Sequence, residues 1–225
     1  MNLPPVAVFV AFVVVLVVVV VAINRWLTAR RRDALRAAAT GLGLEFHPDL
    51  PELLGDLTGM RMMSHGHAHK LLNVLRGTRG GDTVALADHR WVTGGGKNRR
   101  VHRASLAVLR RPRLALPHFF MRPQRAVLDD IGRLLGGQDI NFPDDTDFSR
   151  DFVLQGEDEA AVRALLGPSL RQQLRELARD VRVEGRGDTV LVERAHAVAA
   201  EDVTSFLDAA AALLAVVAAA QPRSW

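Results

Sequence analysis

The chain has 225 residues, with 29 Lys+Arg against 25 Asp+Glu, a formal net charge of +4, and neither cysteine nor tyrosine. Without cysteine there is no disulfide framework, no thiolate zinc site and no cysteine nucleophile. Every basic residue except Lys70 and Lys97 is arginine, a usage that, beside so much alanine and valine, reads as the coding bias of a GC-rich bacterium. The basic residues also lack interleaved aromatics for stacking on bases, so no nucleic-acid partner is expected.

Charge distribution says more than net charge. Across residues 24–125 Lys+Arg outnumber Asp+Glu by 19 to 7, whereas across residues 126–225 the order reverses, 10 to 18. The first of these halves follows an apolar N-terminus. Residues 6–23, VAVFVAFVVVLVVVVVAI, form 18 apolar residues without a charge, long enough as a helix for about 27 Å of hydrocarbon. A cleaved signal peptide would need a basic n-region and a small-residue cleavage site; MNLPP and AINRWLTARRR supply neither. Arg25, Arg30, Arg31 and Arg32 follow the span and no basic side chain precedes it. The positive-inside rule then puts the C-terminal part in the cytoplasm of a bacterium, as a single-pass protein of the inner or plasma membrane, with Trp26 at the interface. The basic half would face anionic lipid headgroups, leaving the acidic half for a cytoplasmic protein partner.

Residues 28–40, TARRRDALRAAAT, read as a helix continuing from the span and stopped by Gly41. A loop rich in Pro, Asp and Gly is expected over residues 47–59. HKLLNVLRG and DTVALADHRWV then flank GTRGG as a hairpin. Charge and apolar matching predicts a register with Arg76 opposite Asp82, Val74 opposite Val84, Leu72 opposite Leu86 and Lys70 opposite Asp88. GGGKN is a turn into a third strand, VHRASLAVLR; a phosphate loop would need Gly at position 91 and Ser or Thr at 98, where the chain has Trp91 and Asn98.

LALPHFFMRP reads as an edge strand or extended stretch, with His118 packed beside its phenylalanines. A short helix is expected over residues 124–136. NFPDDTDF lacks the Gly and Glu of a calcium loop and reads as solvated carboxylates. DFVLQG is a strand, residues 157–180 a helix interrupted at Gly167-Pro168, VRVEGRGDTVLVERA a hairpin, and residues 201–220 a buried terminal helix too weakly apolar for a second span. GDTV occurs at Gly81 and again at Gly187, which raises two similar halves, about 28–125 and 126–225, beside convergent turn chemistry.

SHGHAH places His65, His67 and His69 at alternate positions. On a strand, same-face neighbours lie about 6.7 Å apart, so His65 and His69, about 13 Å apart, cannot share an ion. The expected hairpin register puts His69 opposite His89 and His67 opposite Trp91, so His67, His69 and His89 are the candidate three-histidine zinc site of a membrane-tethered hydrolase. Against it, zinc chemistry needs second-shell carboxylates and an acid–base residue, and Asp88 and Lys70 point to the other face. No catalytic motif for acyl transfer, zinc peptidase or dinucleotide chemistry is present, so catalytic and cofactor-binding residues are none. A basic patch of Arg99, Arg100, Arg103, Arg110, Arg111 and Arg113 lacks a reading helix.

The pieces NVLRG…GDTVALADHRWV, GGGKNRR, ALPHFFMRP, GGQDINF, FSRDFVLQGEDEAAVRALL and VEGRGDTVLVER, in that order, resemble a group of uncharacterised bacterial membrane-anchored proteins with a domain of unknown function. The resemblance implies membrane association and no established activity, and carries over no site residues. It also implies aromatics where this chain has Ala87 and His89. The resulting expectation is an α+β protein: one N-terminal transmembrane helix (residues 1–27), then antiparallel β-hairpins packed with helices (residues 28–225). Its function is expected to be a binding or scaffolding module rather than an enzyme.

Overall fold

The structure, a computed structural model, describes residues 5–124 and 139–221. The helix expected over residues 124–136 lies, apart from Gln124, outside them. The fold is α+β, as expected: eight antiparallel strands in one sheet, helices packed on it, and a long apolar helix at the N-terminus.

Helix α1 spans Pro5–Gly41, 37 residues, and is about 55 Å long. The stretch Ala11–Gly41 is long and apolar enough to cross a membrane, and the core of the protein buries none of its most apolar window. The helix does not stop where the apolar run ends. It continues through the arginines, buries Leu35 and Ala39 in the core, and ends at Gly41, after which Gly43, with a positive φ of 67°, turns the chain into the sheet. Arg31 fixes this junction. Its Nε and Nη2 donate to the two carboxylate oxygens of Asp88 at 2.9 and 2.6 Å, and its Nη1 donates to the Val198 carbonyl at 3.0 Å.

The strands are β1 (Glu45–Asp49), β2 (His67–Arg79), β3 (Asp82–Thr93), β4 (Arg100–Arg110), β5 (Leu116–Pro123), β6 (Phe152–Gly156), β7 (Val181–Gly187) and β8 (Thr189–Arg194). Their order across the sheet is β1-β2-β3-β4-β8-β7-β5-β6. Both halves of the chain therefore enter one sheet, joined through β4 and β8, and the basic and acidic halves interleave instead of forming separate layers.

The β2–β3 register differs from the expected one. Arg79 faces Asp82, Arg76 faces Ala85 and Leu75 faces Leu86; farther along, Leu72 faces Asp88 and Leu71 faces His89. Two features override the side-chain matching. The hairpin closes on Gly80-Gly81, both with positive φ (60° and 88°), a two-residue turn in place of the five-residue loop. Then bulges at Asn73 (φ 50°) and Ala68 (φ 53°) each shift the pairing. Asn73 tolerates this backbone because its amide donates to Asp88 at 2.8 Å.

Three more expectations are corrected. Residues 47–59 are not a plain loop: β1 pairs with β2, and Pro51 starts a short helix α2, Pro51–Asp56. β5 is interior, between β7 and β6. Its prolines are accommodated because Pro117 sits in a register shift and Pro123 ends the strand. The acidic loop is pinned while most of its carboxylates stay solvated: Asp144, still exposed, and the more covered Asp145 hold Arg171, which is only 4 % exposed and lies 4.2 Å from the Phe142 ring.

The remaining helices are α3 (Thr146–Asp151), α4 (Glu159–Leu165), α5 (Pro168–Leu177) and α6 (Val203–Ala219). Asp145 and Asp158 cap α3 and α4 by accepting from Phe148 N and Ala161 N, each at 3.0 Å. With the C-terminal part of α1 these helices cover one face of the sheet. Phe206, Leu207, Leu213 and Leu214 of α6 meet Leu86, Leu109, Phe119 and Val192 in the main core. By length and composition α6 also passes as a span, but its apolar stripe is already committed to this core.

Candidate functional site

The second face of the sheet carries the polar residues. Alternation along β7, β8 and β5 sends Val183, Val190, Val192 and Met121 into the main core, and Arg182, Glu184, Glu193 and Arg122 to the other side. Among the described residues the 50–65 segment packs there: Leu53, Leu57, Met60 and Met62 cover Val74, Ala87, Leu106 and Phe120.

Two carboxylates organise this face. Glu184, fully buried, accepts from the backbone N–H of Arg61 and from that of Met62 at 2.8 Å, and pairs with His118 Nε2 at 2.7 Å. His118 Nδ1 meets Glu157 at 2.7 Å, so His118 is ion-paired between two acids and not merely packed among phenylalanines. The Glu184 bond, with Glu157 adding to it, outweighs burial and raises the His118 pKa above its ordinary value. Glu193, 2 % exposed, takes Arg182 Nη1 at 2.8 Å and His89 Nδ1 at 2.9 Å. Burial pushes the Glu193 pKa up, but the His89 bond and the Arg182 charge more than offset it and hold the group below the usual carboxylate range.

From Glu193 the contacts run outward toward β2. His89 Nε2 lies 3.0 Å from His69 Nδ1, and the rings of His69, His89, Trp91 and His102 stack in sequence with centroids 5.2, 4.6 and 5.1 Å apart. The Glu193 carboxylate accepts from His89 Nδ1–H, and a single proton joins His89 Nε2 to His69 Nδ1. His65 joins instead of His67. It lines a cavity with Arg61, Met62, Trp91, Phe120, Arg182 and Glu193 whose free space, about 20 Å³, is room for one water. Gly66 makes the turn that brings His65 in: its φ is +83°, and a Cβ there would lie 2.5 Å from the Val92 carbonyl oxygen. Burial lowers the pKa of both His65 and His69, and the Nε2 atoms of both are buried without a partner.

Of the three candidate histidines, the structure thus brings His69 and His89 into contact and leaves His67 exposed at the start of β2, beyond the Ala68 bulge. Among the described residues no group of three or more His, Asp or Glu is arranged to hold a metal ion. His89 is 1 % exposed and both its ring nitrogens are engaged. It has no free atom to offer a substrate, and the arrangement cross-braces β2, β3, β7 and β8. Arginines gather beside it. Arg61 lies over the Phe120 ring at 5.7 Å, and extending the Met121–Val183 pairing puts Arg122 beside Arg182. Burial lowers the pKa of Arg61 and Arg122, and Arg122 Nη1 is buried without a partner.

Sequence reasoning missed Arg182, Glu184 and Glu193, although their signal was present: charges alternating with valine in VRVEG and VLVER mark one buried face. The arginine patch considered for nucleic acid is divided. Arg110 and Arg111 pair with Asp56 and Asp82 at one end of β4, while Arg99 and Arg103 lie at the other, about 25 Å or more away.

No family model matches the chain, and no curated protein matches it. A solved structure does. The crystal structure of the mycobacterial trehalose monomycolate transport factor A, TtfA, is similar with a TM-score of 0.60 at 13% sequence identity, covering 87% of this chain and 97% of that one. At that identity the likeness is one of fold: almost all of that structure has a counterpart here.

Proposed function

We propose that this protein is a single-pass membrane protein of a bacterium whose C-terminal domain lies in the cytoplasm. There it serves as a non-catalytic binding or scaffolding module, an accessory to the movement of an amphiphilic envelope lipid. The observation that carries this reading is α1. One helix leads from an exposed apolar run directly into the core, clamped by Arg31 on Asp88, so the domain is held rigidly at the membrane and not on a flexible tether. A scaffold beside a membrane partner needs a fixed pose. The fold shared with a glycolipid transport factor supports the transport context, and the fully engaged His89–Glu193 pair supports a structural role for the polar face. Anionic headgroups and a cytoplasmic protein are the proposed partners, with arginines 25, 30 and 32 beside the span supplying the positive-inside signal.

The test has two parts. In a cysteine-free chain, a Thr78→Cys variant should resist a membrane-impermeant thiol reagent in intact cells and react in inverted vesicles; labelling in intact cells would reverse the orientation. Deleting the gene should move an envelope glycolipid from the cell surface to the cell interior, with recovery on complementation; an unchanged lipid distribution would remove the transport role. The metal-hydrolase alternative is checked by elemental analysis of the purified full-length chain. Near-stoichiometric zinc that disappears in His69→Ala would replace the scaffold reading with that one.

A further inference from the structure

The end of the sheet at the β3–β4 hairpin carries a row of like charges. Lys70 lies opposite Arg90 on β3, and Arg90 opposite Arg103 on β4. Beyond them the β3–β4 hairpin turns through residues 94–99, adding Lys97 and Arg99. Lys70, Lys97, Arg99 and Arg103 are exposed and Arg90 is half-buried. Among the described residues, none of these five has a carboxylate within ion-pairing distance, although most other arginines of the domain do. Like charges directly opposite across strands destabilise a sheet, so a row of three marks a surface shaped for something other than the fold itself.

The position of the row follows from α1. Leu44, just after the helix, packs at Gly77, and Arg31, farther up the helix, grips Asp88 beside Asn73. Moving toward the N-terminus of α1 therefore moves along β2 toward His67 and along β3 toward Thr93. From Arg31 back to Ile23, where the apolar run ends, is about 12 Å. From Asp88 to Thr93 is about 17 Å. The strand therefore runs from Asp88 in the direction of the apolar run of α1, which puts the hairpin tip on that side of the domain.

We propose that the β3–β4 hairpin tip is a second membrane contact, in which Lys97, Arg99 and Arg103, with Lys70 and Arg90 behind them, dock on the headgroups of anionic phospholipids. The proposal rests on the reading of α1 as the anchor and deepens it: two contacts, one apolar and one electrostatic, fix the tilt of the domain. The tip carries no Phe, Trp or Tyr from residue 92 to 103, and Val101 is its one exposed large apolar residue, so contact is at headgroup level without insertion. Each basic side chain close to such a surface is worth about a five-fold gain in occupancy, and three together about a hundred-fold.

The full-length chain, reconstituted in nanodiscs, gives the test. Gly95 has an extended backbone and open space around a Cβ, so Gly95→Cys takes a fluorophore at the tip; Thr78→Cys does the same at the far end of the sheet. The discs carry a headgroup-attached quencher, in phosphatidylglycerol mixed with phosphatidylcholine or in phosphatidylcholine alone. Quenching at position 95 should exceed that at 78 several-fold in anionic discs. It should fall toward the level at 78 in neutral discs, in high salt, and in the K97E/R99E/R103E variant, with K97Q/R99Q/R103Q between. Equal quenching in neutral and anionic discs, or no loss in the charge-reversed variant, would overturn the docking contact while leaving the anchor intact. A chain that fails to enter discs at all would overturn the anchor and the contact together.

Discussion

The two faces of the sheet are both buried, by different chemistry. On one face α1, α4, α5 and α6 lay leucine, valine and phenylalanine against leucine, valine and phenylalanine. On the other, a short segment with one six-residue helix closes over a smaller apolar cluster, and beside it runs a ladder of histidines, arginines and glutamates. Burial of apolar area holds any well-shaped set of side chains and contributes most of the stability. A buried polar network contributes less net energy, yet it tolerates one arrangement of its strands, because every displaced partner leaves a charge without solvent. The first face keeps the domain folded; the second keeps β7, β8, β3 and the 61–63 turn in one relative position.

The largest expected effect is on the apolar face. Phe206→Ala in the full-length protein should cost about 3–5 kcal/mol in urea denaturation; a cost under about 1 kcal/mol would show that α6 is not the seal of the core. Next comes Glu184→Ala, which strands two backbone donors and leaves His118 with Glu157 alone. It should cost about 3 kcal/mol and raise hydrogen exchange selectively over residues 57–64, whereas Phe206→Ala raises it throughout. Uniform exchange in both variants would erase the distinction between the faces.

The pH dependence sharpens the same contrast. The raised pKa of His118 gives stability that is complete below about pH 6.5 and is lost as pH rises through its folded value. The lowered pKa values of His65 and His69 act in the opposite sense. Their contribution is complete above about pH 6.5 and is lost as pH falls through their folded values. Stability should peak near neutrality, with His118→Gln flattening the alkaline side and His69→Gln the acid side. A flat profile in the wild type would show the polar face to be energetically silent. The smallest effect belongs to the basic row: Arg103→Glu, opposite Arg90, should stabilise the domain by about 0.2–1 kcal/mol, and a loss would indicate that Arg103 has a role within the fold.

The long apolar helix, the hairpins and the terminal helix were legible because each rests on local periodicity. The β2–β3 register was not. Four favourable pairings across one face predicted it, but a turn of two positive-φ glycines and bulges at Asn73 and Ala68 are backbone choices that side-chain matching does not see. The His69–His89 contact emerged from the wrong register, because the bulges, which misalign Lys70 and Asp88, still leave those two rings adjacent. β1 and α2 were hidden by their prolines, which the edge of the sheet and a helix start accept. Glu193 and Arg182 could be placed on a face from VLVER and VRVEG, but their partnership with His89 joins residues 104 apart in sequence and needs the β4–β8 junction to exist.

The unbroken α1 has one further consequence, and it is angular. A helix advances about 100° and 1.5 Å per residue, so under the proposed anchoring, with no break in the helix between its apolar run and the sheet, the number of residues separating that run from Arg31 sets the compass bearing of the domain about the membrane normal. Inserting a single alanine after Asn24 would lift the domain hardly at all, yet swing it through more than a quarter turn and carry the hairpin tip away from any neighbour fixed in the same bilayer. Four insertions would nearly restore the heading. Length here behaves as a dial, and a neighbour in the membrane would read its phase.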